Sequence, residues 1–291
     1  MPLYSNSAHF DLKRAREAGI IIQFFALFTN SVDQSTSLRN ILLQIEKFHC
    51  ELALNEAYLY LITNYADIEK NQLNDKIGAV LHLEGAEAIG KDLELLRLMH
   101  KLGLRSMGLT WNNRNLLADG IGEGDEAGGL SKLGKQVLKE MEQLGMLLDL
   151  SHISEPAYFE VFDYYDKPIM VTHSNARQLC SHKRNLTDRQ LQVLAQNDGV
   201  VGVNQVSFFT SSDAGADINK LIDHIKYIAD KVGIRHVALG SDFDGADSII
   251  MSGVEEYKSW TELLLNCGFL PPEIEMILHQ NAGRVIKRVL S

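Results

Sequence analysis

The sequence predicts an α/β protein whose core is a parallel sheet. Seven short apolar runs, each bounded by turn residues, are typical of strands that are buried on both faces. These runs cover residues 20–28, 77–84, 104–111, 145–152, 168–174, 199–204 and 236–242. Amphipathic helical stretches separate them, and such alternation indicates βαβ units. A chain of 291 residues is long enough for one barrel domain over 1–291, so we expect a (β/α)8 TIM barrel.

For three of the helices predicted between these strands, the sequence also shows residues typical of a helix start or a helix end. Residues 131–144 place apolar side chains on one stripe, and Gly145 follows where a helix end favours glycine. Thr187 opens a second helix with a capping box. Residues 217–232 form a third amphipathic helix, which Gly233 closes.

The strand count is one short of a closed barrel. A (β/α)8 barrel needs eight strands, and no convincing apolar run precedes residue 20. We expect that the first strand of the barrel is missing from this chain. The alternatives are a strand overlooked elsewhere or an open sheet.

The composition argues against several classes of partner. The net charge is −10, which argues against nucleic acid because phosphate backbones are bound by basic patches. No apolar run reaches the roughly 18–20 residues that a membrane helix needs, so no membrane contact is expected. The N-terminus lacks the features of a signal peptide. The three scattered cysteines, Cys50, Cys180 and Cys267, fit a reducing compartment. We therefore expect a cytoplasmic protein.

Four polar residues close apolar runs and form a candidate metal site. His152 and His173 end two successive runs, Glu84 ends an earlier one, and Asp242 ends the last. The carboxyl ends of barrel strands converge on one mouth, so these side chains are expected to meet there. Imidazole and carboxylate suit a divalent ion such as zinc. A structural role is the alternative for each residue taken alone.

Asp242 and two further residues, Arg184 and Trp111, are candidates for functional roles at the same mouth. Asp242 is the better candidate for moving a proton, since Asp244 directly precedes Gly245 and suits a turn. Arg184 lies about ten residues beyond the His173 run, where a guanidinium would bind a substrate carboxylate; a solvated surface charge is the alternative. Trp111 ends run 104–111, and its indole ring would line one side of a pocket at the mouth. The alternative is that it packs within the barrel.

The pair His9 and Asp11 has the His-x-Asp spacing of a metal-binding pair in barrel hydrolases. A helical stretch follows it directly and no buried strand precedes it. We therefore favour a structural role for both residues.

Taken together, these segments resemble the membrane (renal) dipeptidase family of zinc peptidases. Several long motifs occur in the family's order over nearly the whole chain. They are the Glu-Gly turn at Glu84 and residues 109–112, 145–152, 173–176, 184–188, 240–245 and 281–285.

The resemblance implies a (β/α)8 barrel that hydrolyses dipeptides with two zinc ions. Glu84 would bridge the two ions, and His152 and His173 would hold the second. Asp242 would move the proton, and Arg184 would bind the carboxylate of the substrate.

The chain departs from the family pattern at two points. The family's opening strand, which ends in His-x-Asp and holds the first ion, has no counterpart here, so one ion or none is expected instead of two. Trp111 stands where animal members carry a substrate-contacting histidine; bacterial relatives often resemble this chain.

The sequence therefore predicts a zinc-dependent dipeptidase that acts through a metal-activated hydroxide on a small dipeptide. One alternative is another barrel metallohydrolase, acting on a lactone, a cyclic amide or a phosphoester; such enzymes usually carry a metal-bridging lysine, and none matches here. The other is a non-catalytic paralogue or truncated form with an incomplete metal centre. A homodimer is one option for the assembly.

Overall fold

The computed structural model describes residues 2–71, 74–213 and 215–291. The strands and helices alternate, and every strand pairing described below is parallel, which confirms the α/β class. The strands are β1 Ile22–Phe28, β2 Leu59–Leu61, β3 Ile77–Glu84, β4 Leu104–Gly108, β5 Leu147–Asp149, β6 Met170–Val171, β7 Val200–Val203 and β8 Val237–Leu239.

Helices separate most of these strands, and short 3-10 segments lie at 121–126, 234–236 and 254–259. The helix from residue 271 continues through a π turn at 276–280. The α-helices are α1 Leu12–Glu17, α2 Gln34–Leu54, α3 Tyr65–Asn71, α4 Leu93–Lys101, α5 Lys132–Leu144, α6 Glu155–Val161, α7 Asp188–Gln196, α8 Ser207–Thr210, α9 Ile218–Val232, α10 Trp260–Asn266, α11 Pro271–Glu275 and α12 Asn281–Leu290.

The chain forms two compact units. Unit I comprises residues 21–167 and 287–291, and unit II comprises residues 1–20 and 168–286.

Unit I contains four parallel strands whose carboxyl ends are level. In the register of the sheet, Phe28 lies beside Glu84, Glu84 beside Gly108, and Gly108 beside Asp149. The strand β3 lies between β1 and β4, and all its residues except Glu84 are buried. The segments that follow these strands therefore start from one edge of the sheet.

An eighth strand lies where the sequence predicted none. The short strand β2 runs from Leu59 to Leu61 and pairs in parallel with the first residues of β3. The predicted count of seven is therefore wrong for the described part of the chain. Three residues that include Tyr60 give too short a pattern to be distinguished from a loop.

Unit II contains three parallel strands and most of the remaining helices. The strand β7 pairs with both β6 and β8. The capping box at Thr187 is present, and it opens α7. Asp217 caps α9, which ends at Gly233. These features confirm the predicted helices, as does α5 of unit I, which runs from its cap Ser131 to a left-handed Gly145.

Four strands end three residues earlier than predicted. The run 104–111 is a strand only to Gly108, and 145–152 only to Asp149. The run 168–174 is reduced to Met170–Val171, and 236–242 ends as a strand at Leu239. Polar residues turn the backbone away after these points. Trp111, His152, His173 and Asp242 therefore lie in the segments that follow these four strands, whereas Glu84 is the last residue of β3.

In the described part of the chain, no helix combines the length and the apolar character that crossing a membrane requires.

Candidate metal centre

Glu84 and His152 face each other in unit I. Glu84 is the last residue of β3, and its Oε1 lies 2.9 Å from Nε2 of His152. The histidine side chain is 9% exposed and the glutamate side chain 18%. Two such donor atoms side by side can both coordinate one divalent ion.

The position of His152 is fixed through its backbone. Asp149 ends β5, and its Oδ1 accepts hydrogen bonds from the backbone N–H and the hydroxyl of Ser151, at 3.0 and 2.6 Å. These bonds form an Asx turn, which changes the direction of the backbone after β5. The carbonyl of His152 then accepts a hydrogen bond from the N–H of Ile121 at 2.9 Å. The ring Nδ1 lies 2.9 Å from Oδ1 of Asn112.

Trp111 lies beside this pair, three residues beyond the end of β4. Its ring packs edge-on against Phe28 with 5.0 Å between centroids, and it lies 5.9 Å from the ring of His152. Gly85 has a φ of +89°, and a Cβ there would lie 3.1 Å from the backbone nitrogen of Trp111. Glycine at this position therefore allows the turns after β3 and β4 to approach closely.

Sequence reasoning missed His82, a buried polar residue on β3. Its Nδ1 lies 2.9 Å from the hydroxyl of Ser106, and its Nε2 lies 3.5 Å from Oδ2 of Asp149. Since alternate residues of a strand share a face, the spacing of His82 and Glu84 was the available signal. His82 contacts the carboxylate that shapes the turn before His152.

In unit II, His173 lies two residues beyond β6 and is buried. Its Nδ1 is 2.8 Å from the hydroxyl of Thr172. The next residue, Ser174, donates its backbone N–H to Gly202 O at 2.9 Å. The contact with Thr172 thus engages the Nδ1 side of the ring, and the backbone after His173 is tied to β7.

Arg184 is buried within unit II, with 6% of its surface exposed. Its Nη2 lies 3.4 Å from the carbonyl of His173, and its guanidinium lies 5.6 Å from the ring centroid of Phe209. Ser174 donates a hydrogen bond to its carbonyl at 2.7 Å. The interpretation as a solvated surface charge is therefore wrong.

Asp242 and Asp244 differ in what they contact. Both have a positive φ, +69° and +61°, so they do not continue the extended strand. Oδ2 of Asp242 accepts a hydrogen bond from the side-chain amide of Asn204 at 3.0 Å. The carboxylate of Asp244 accepts the backbone N–H groups of His9 and Phe10, at 2.7 and 3.3 Å. Asp244 therefore has a structural role: its carboxylate anchors the N-terminal segment, a contact that its position before Gly245 did not predict.

Asp11 is the N-cap of α1 and is 1% exposed. Its carboxylate accepts the backbone N–H of Arg14 at 2.9 Å and pairs with the guanidinium of that residue at 2.7 Å. Burial alone would raise the pKa of Asp11, but these contacts outweigh it and hold the pKa below its ordinary value. Asp11 thus has the structural role favoured from the sequence.

A cavity of about 340 Å³ lies in unit I near the turn after Glu84. The carboxyl of Glu87 borders it and accepts a hydrogen bond from the side-chain amide of Asn115 at 3.1 Å. Burial raises the pKa of Glu87 above its ordinary value of 4.5. The remaining lining residues are Val32, Gln34, Ala86, Gly90, Arg114, Leu116 and Leu117.

Parallel α/β strands with a carboxylate and histidines at or just beyond their carboxyl ends are typical of metallohydrolases. The sequence profile of the membrane dipeptidase family, peptidase family M19, matches residues 4–291. The chain belongs to this family, which confirms the predicted resemblance and makes it a metallohydrolase of the dipeptidase type.

Named relatives and solved structures agree with this assignment. Dipeptidase aclJ of Aspergillus oryzae is 34% identical over 95% of this chain and 69% of its own length. The structure of a metallopeptidase named dipeptidase AC, also of family M19, matches with a TM-score of 0.92 and 28% identity, over 98% of this chain and 90% of its own. A Rhodobacter sphaeroides metallopeptidase, solved with a phosphinate mimic of the dipeptide L-Ala-D-Ala, matches with a TM-score of 0.92, 27% identity and coverages of 98% and 91%. The fold class is therefore the predicted barrel class.

The buried carboxyl of Glu87 predicts a pH-dependent stability. Because the pKa of Glu87 is raised in the folded chain, folding favours its protonated form. Glu87 therefore contributes its full stabilisation of the folded chain at pH values below its ordinary pKa. This contribution is lost as the pH rises through the pKa that Glu87 has in the folded chain. We expect Glu87→Gln to flatten the fall in unfolding free energy over this window, as measured by urea denaturation at a series of pH values. The exposed carboxyl of Glu126 gives the control Glu126→Gln, and identical profiles for all three proteins would contradict the prediction.

Proposed function

We propose that this chain is a zinc-dependent dipeptidase whose catalytic groups are those predicted from the sequence. The observation that carries the proposal is the 2.9 Å approach of Glu84 Oε1, at the end of β3, to His152 Nε2, three residues beyond the end of β5. A carboxylate oxygen and an unprotonated ring nitrogen repel each other at this distance. Holding them together costs free energy unless a proton or a metal ion lies between them. Membership in the membrane dipeptidase family, whose solved members include structures named metallopeptidases, supports a shared metal ion as the reason for this approach.

Glu84, His152 and His173 would hold the metal. Carboxylate and imidazole form a donor set that suits zinc. In each histidine the Nδ1 side is engaged, by Asn112 in one case and by Thr172 in the other, which directs Nε2 to the ion. Bound zinc would polarise the peptide carbonyl and lower the pKa of water. We propose one such ion, held by these three residues.

Asp242 would move the proton. A carboxylate at this point can accept the proton released by the attacking water and donate it to the leaving amine. The amide of Asn204 holds one oxygen of Asp242 at 3.0 Å and so limits its rotation. Asp244 cannot replace it, because its carboxylate is engaged by the amides of His9 and Phe10.

Arg184 would bind the carboxylate of the dipeptide. A planar guanidinium pairs with a carboxylate through two parallel hydrogen bonds. The face of Phe209 and the carbonyl of His173 hold the guanidinium of this buried side chain in place. Trp111 packs against Phe28 and lies near the ring of His152. Its indole ring would line one side of the pocket that holds the rest of the substrate.

Three broader expectations accompany this proposal. We propose a single barrel domain over 1–291, since one family profile matches nearly this whole range. A cytoplasmic location and a homodimeric assembly stay predictions. Fractionation of the native host cells and the mass of the purified protein in solution test them.

Loss of either histidine should remove metal. We expect His152→Ala and His173→Ala each to lose most of the bound zinc while the chain stays folded, because each variant lacks one direct ligand. Elemental analysis gives the zinc content, and circular dichroism checks the fold. The exposed His279 supplies the control His279→Ala, which should retain its zinc. Unchanged zinc in both ligand variants would contradict the assignment.

Loss of the Asp242 carboxylate should slow the reaction without removing metal. We expect Asp242→Asn to lower kcat by about 10²- to 10⁴-fold, the usual contribution of general acid–base catalysis. Asp244→Asn is the matched control and should retain kcat within a few-fold. The assignment fails if both variants hydrolyse dipeptides at similar rates with zinc retained.

Replacement of Arg184 should affect only substrates with a free carboxylate. We expect Arg184→Lys to raise KM for a dipeptide, because a two-pronged guanidinium is replaced by a point charge. A C-terminally amidated dipeptide should show little change. Equal effects on the two substrates would exclude the carboxylate-binding role.

A further inference from the structure

We propose that Asn112 is a positioning residue that fixes His152 in the one neutral form able to bind a metal through Nε2. This inference rests on the proposed role of His152 as a metal ligand. It adds a residue for which the sequence gave no role, and all the contacts that support it lie within unit I.

The first observation is the contact itself. Oδ1 of Asn112 lies 2.9 Å from Nδ1 of His152. An amide oxygen can only accept a hydrogen bond, so Nδ1 must carry the proton. A neutral imidazole has one N–H, which leaves the lone pair on Nε2. That nitrogen is the atom that faces Glu84 at 2.9 Å.

The second observation is that Asn112 is itself held in place by residues 120–122. Its backbone carbonyl accepts the N–H of Gly122 at 2.6 Å. A Cβ at Gly120 would clash with the same carbonyl, and one at Gly122 would lie 2.5 Å from it. Glycine at both positions therefore lets this segment lie directly against the backbone of Asn112.

The same segment also holds His152. Ile121, between the two glycines, donates its N–H to the carbonyl of His152 at 2.9 Å, and Gly120 forms an antiparallel bridge with Ile153. One stretch of three residues thus fixes the backbones of both partners of the hydrogen bond. The bond between Asn112 and His152 is therefore built into the loop and is not a chance surface contact.

This arrangement predicts a graded response to substitution. Asn112→Ala removes the acceptor, so the ring is free to carry its proton on either nitrogen and to rotate. Loss of such an outer partner usually lowers metal affinity by about 10- to 100-fold. Asn112→Asp keeps an acceptor oxygen at the same place, so the affinity should stay close to that of the unsubstituted chain or exceed it. Asn113, the exposed neighbour, gives the matched control Asn113→Ala.

Two measurements test the proposal. The first is the dissociation constant for zinc, measured by competition with a chromophoric chelator for the unsubstituted chain and the three variants. We expect weakening of about 10- to 100-fold in Asn112→Ala only. The second is the nitrogen spectrum of the histidine rings in the metal-free, ¹⁵N-labelled protein at a pH where the rings are neutral. His152→Gln identifies the signal, which should show an N–H on Nδ1 in the unsubstituted chain and a mixture in Asn112→Ala.

The two readouts separate this inference from the proposed function. If zinc binds but Asn112→Ala keeps the same affinity and the same ring form, the role of Asn112 is overturned while the metal site stands. An N–H on Nδ1 that depends on Asn112, in a protein that binds no zinc, would support the positioning role and overturn the proposed function. A ring with its N–H on Nε2 in the unsubstituted chain would overturn the positioning role directly.

Discussion

The level register of four parallel strands is the constraint on which the candidate site in unit I depends. Phe28, Glu84, Gly108 and Asp149 lie side by side along the sheet. A slip of one residue in a strand would turn its side chains to the opposite face. Glu84 would then point away from His152, and the turn after β4 would no longer bring Asn112 to the imidazole ring. Backbone pairing in the sheet thus sets the spacing of groups that are up to 68 residues apart in sequence.

Short polar side chains shape the segments that follow the strands within each unit. Asp149 turns the chain after β5 by accepting two hydrogen bonds from Ser151. In unit II, Asp244 anchors the N-terminal segment, and Asp242 is held by Asn204. Neighbouring carboxylates of the same type therefore have different roles, which their hydrogen-bond partners decide. The two aspartates near β8 are the clearest case, because the structural role of Asp244 leaves Asp242 as the candidate for chemistry.

Most strands and helices, and the family, could be predicted from the sequence, because apolar runs and helix caps depend only on residues that are near each other along the chain. The runs placed β3 and the strand that precedes His152, and the motifs identified the family. Other features depend on contacts between distant residues. The burial of Arg184 requires Phe209 and His173, and no local pattern distinguishes it from a surface charge. The strand β2 exists only because the start of β3 pairs with it. The role of Asn112 likewise requires a neighbour 40 residues away.

Hydrolysis of a dipeptide by the intact chain, measured with and without zinc, tests directly whether this protein is a zinc-dependent dipeptidase. The purified protein is stripped with a chelator, dialysed and assayed before and after zinc is restored, and bound zinc is counted in the same samples. We expect hydrolysis to be lost with the metal and to return as zinc binds. Hydrolysis that persists in the metal-free protein would contradict this expectation, as would full zinc binding without hydrolysis of any dipeptide in a panel of L,L and L,D pairs.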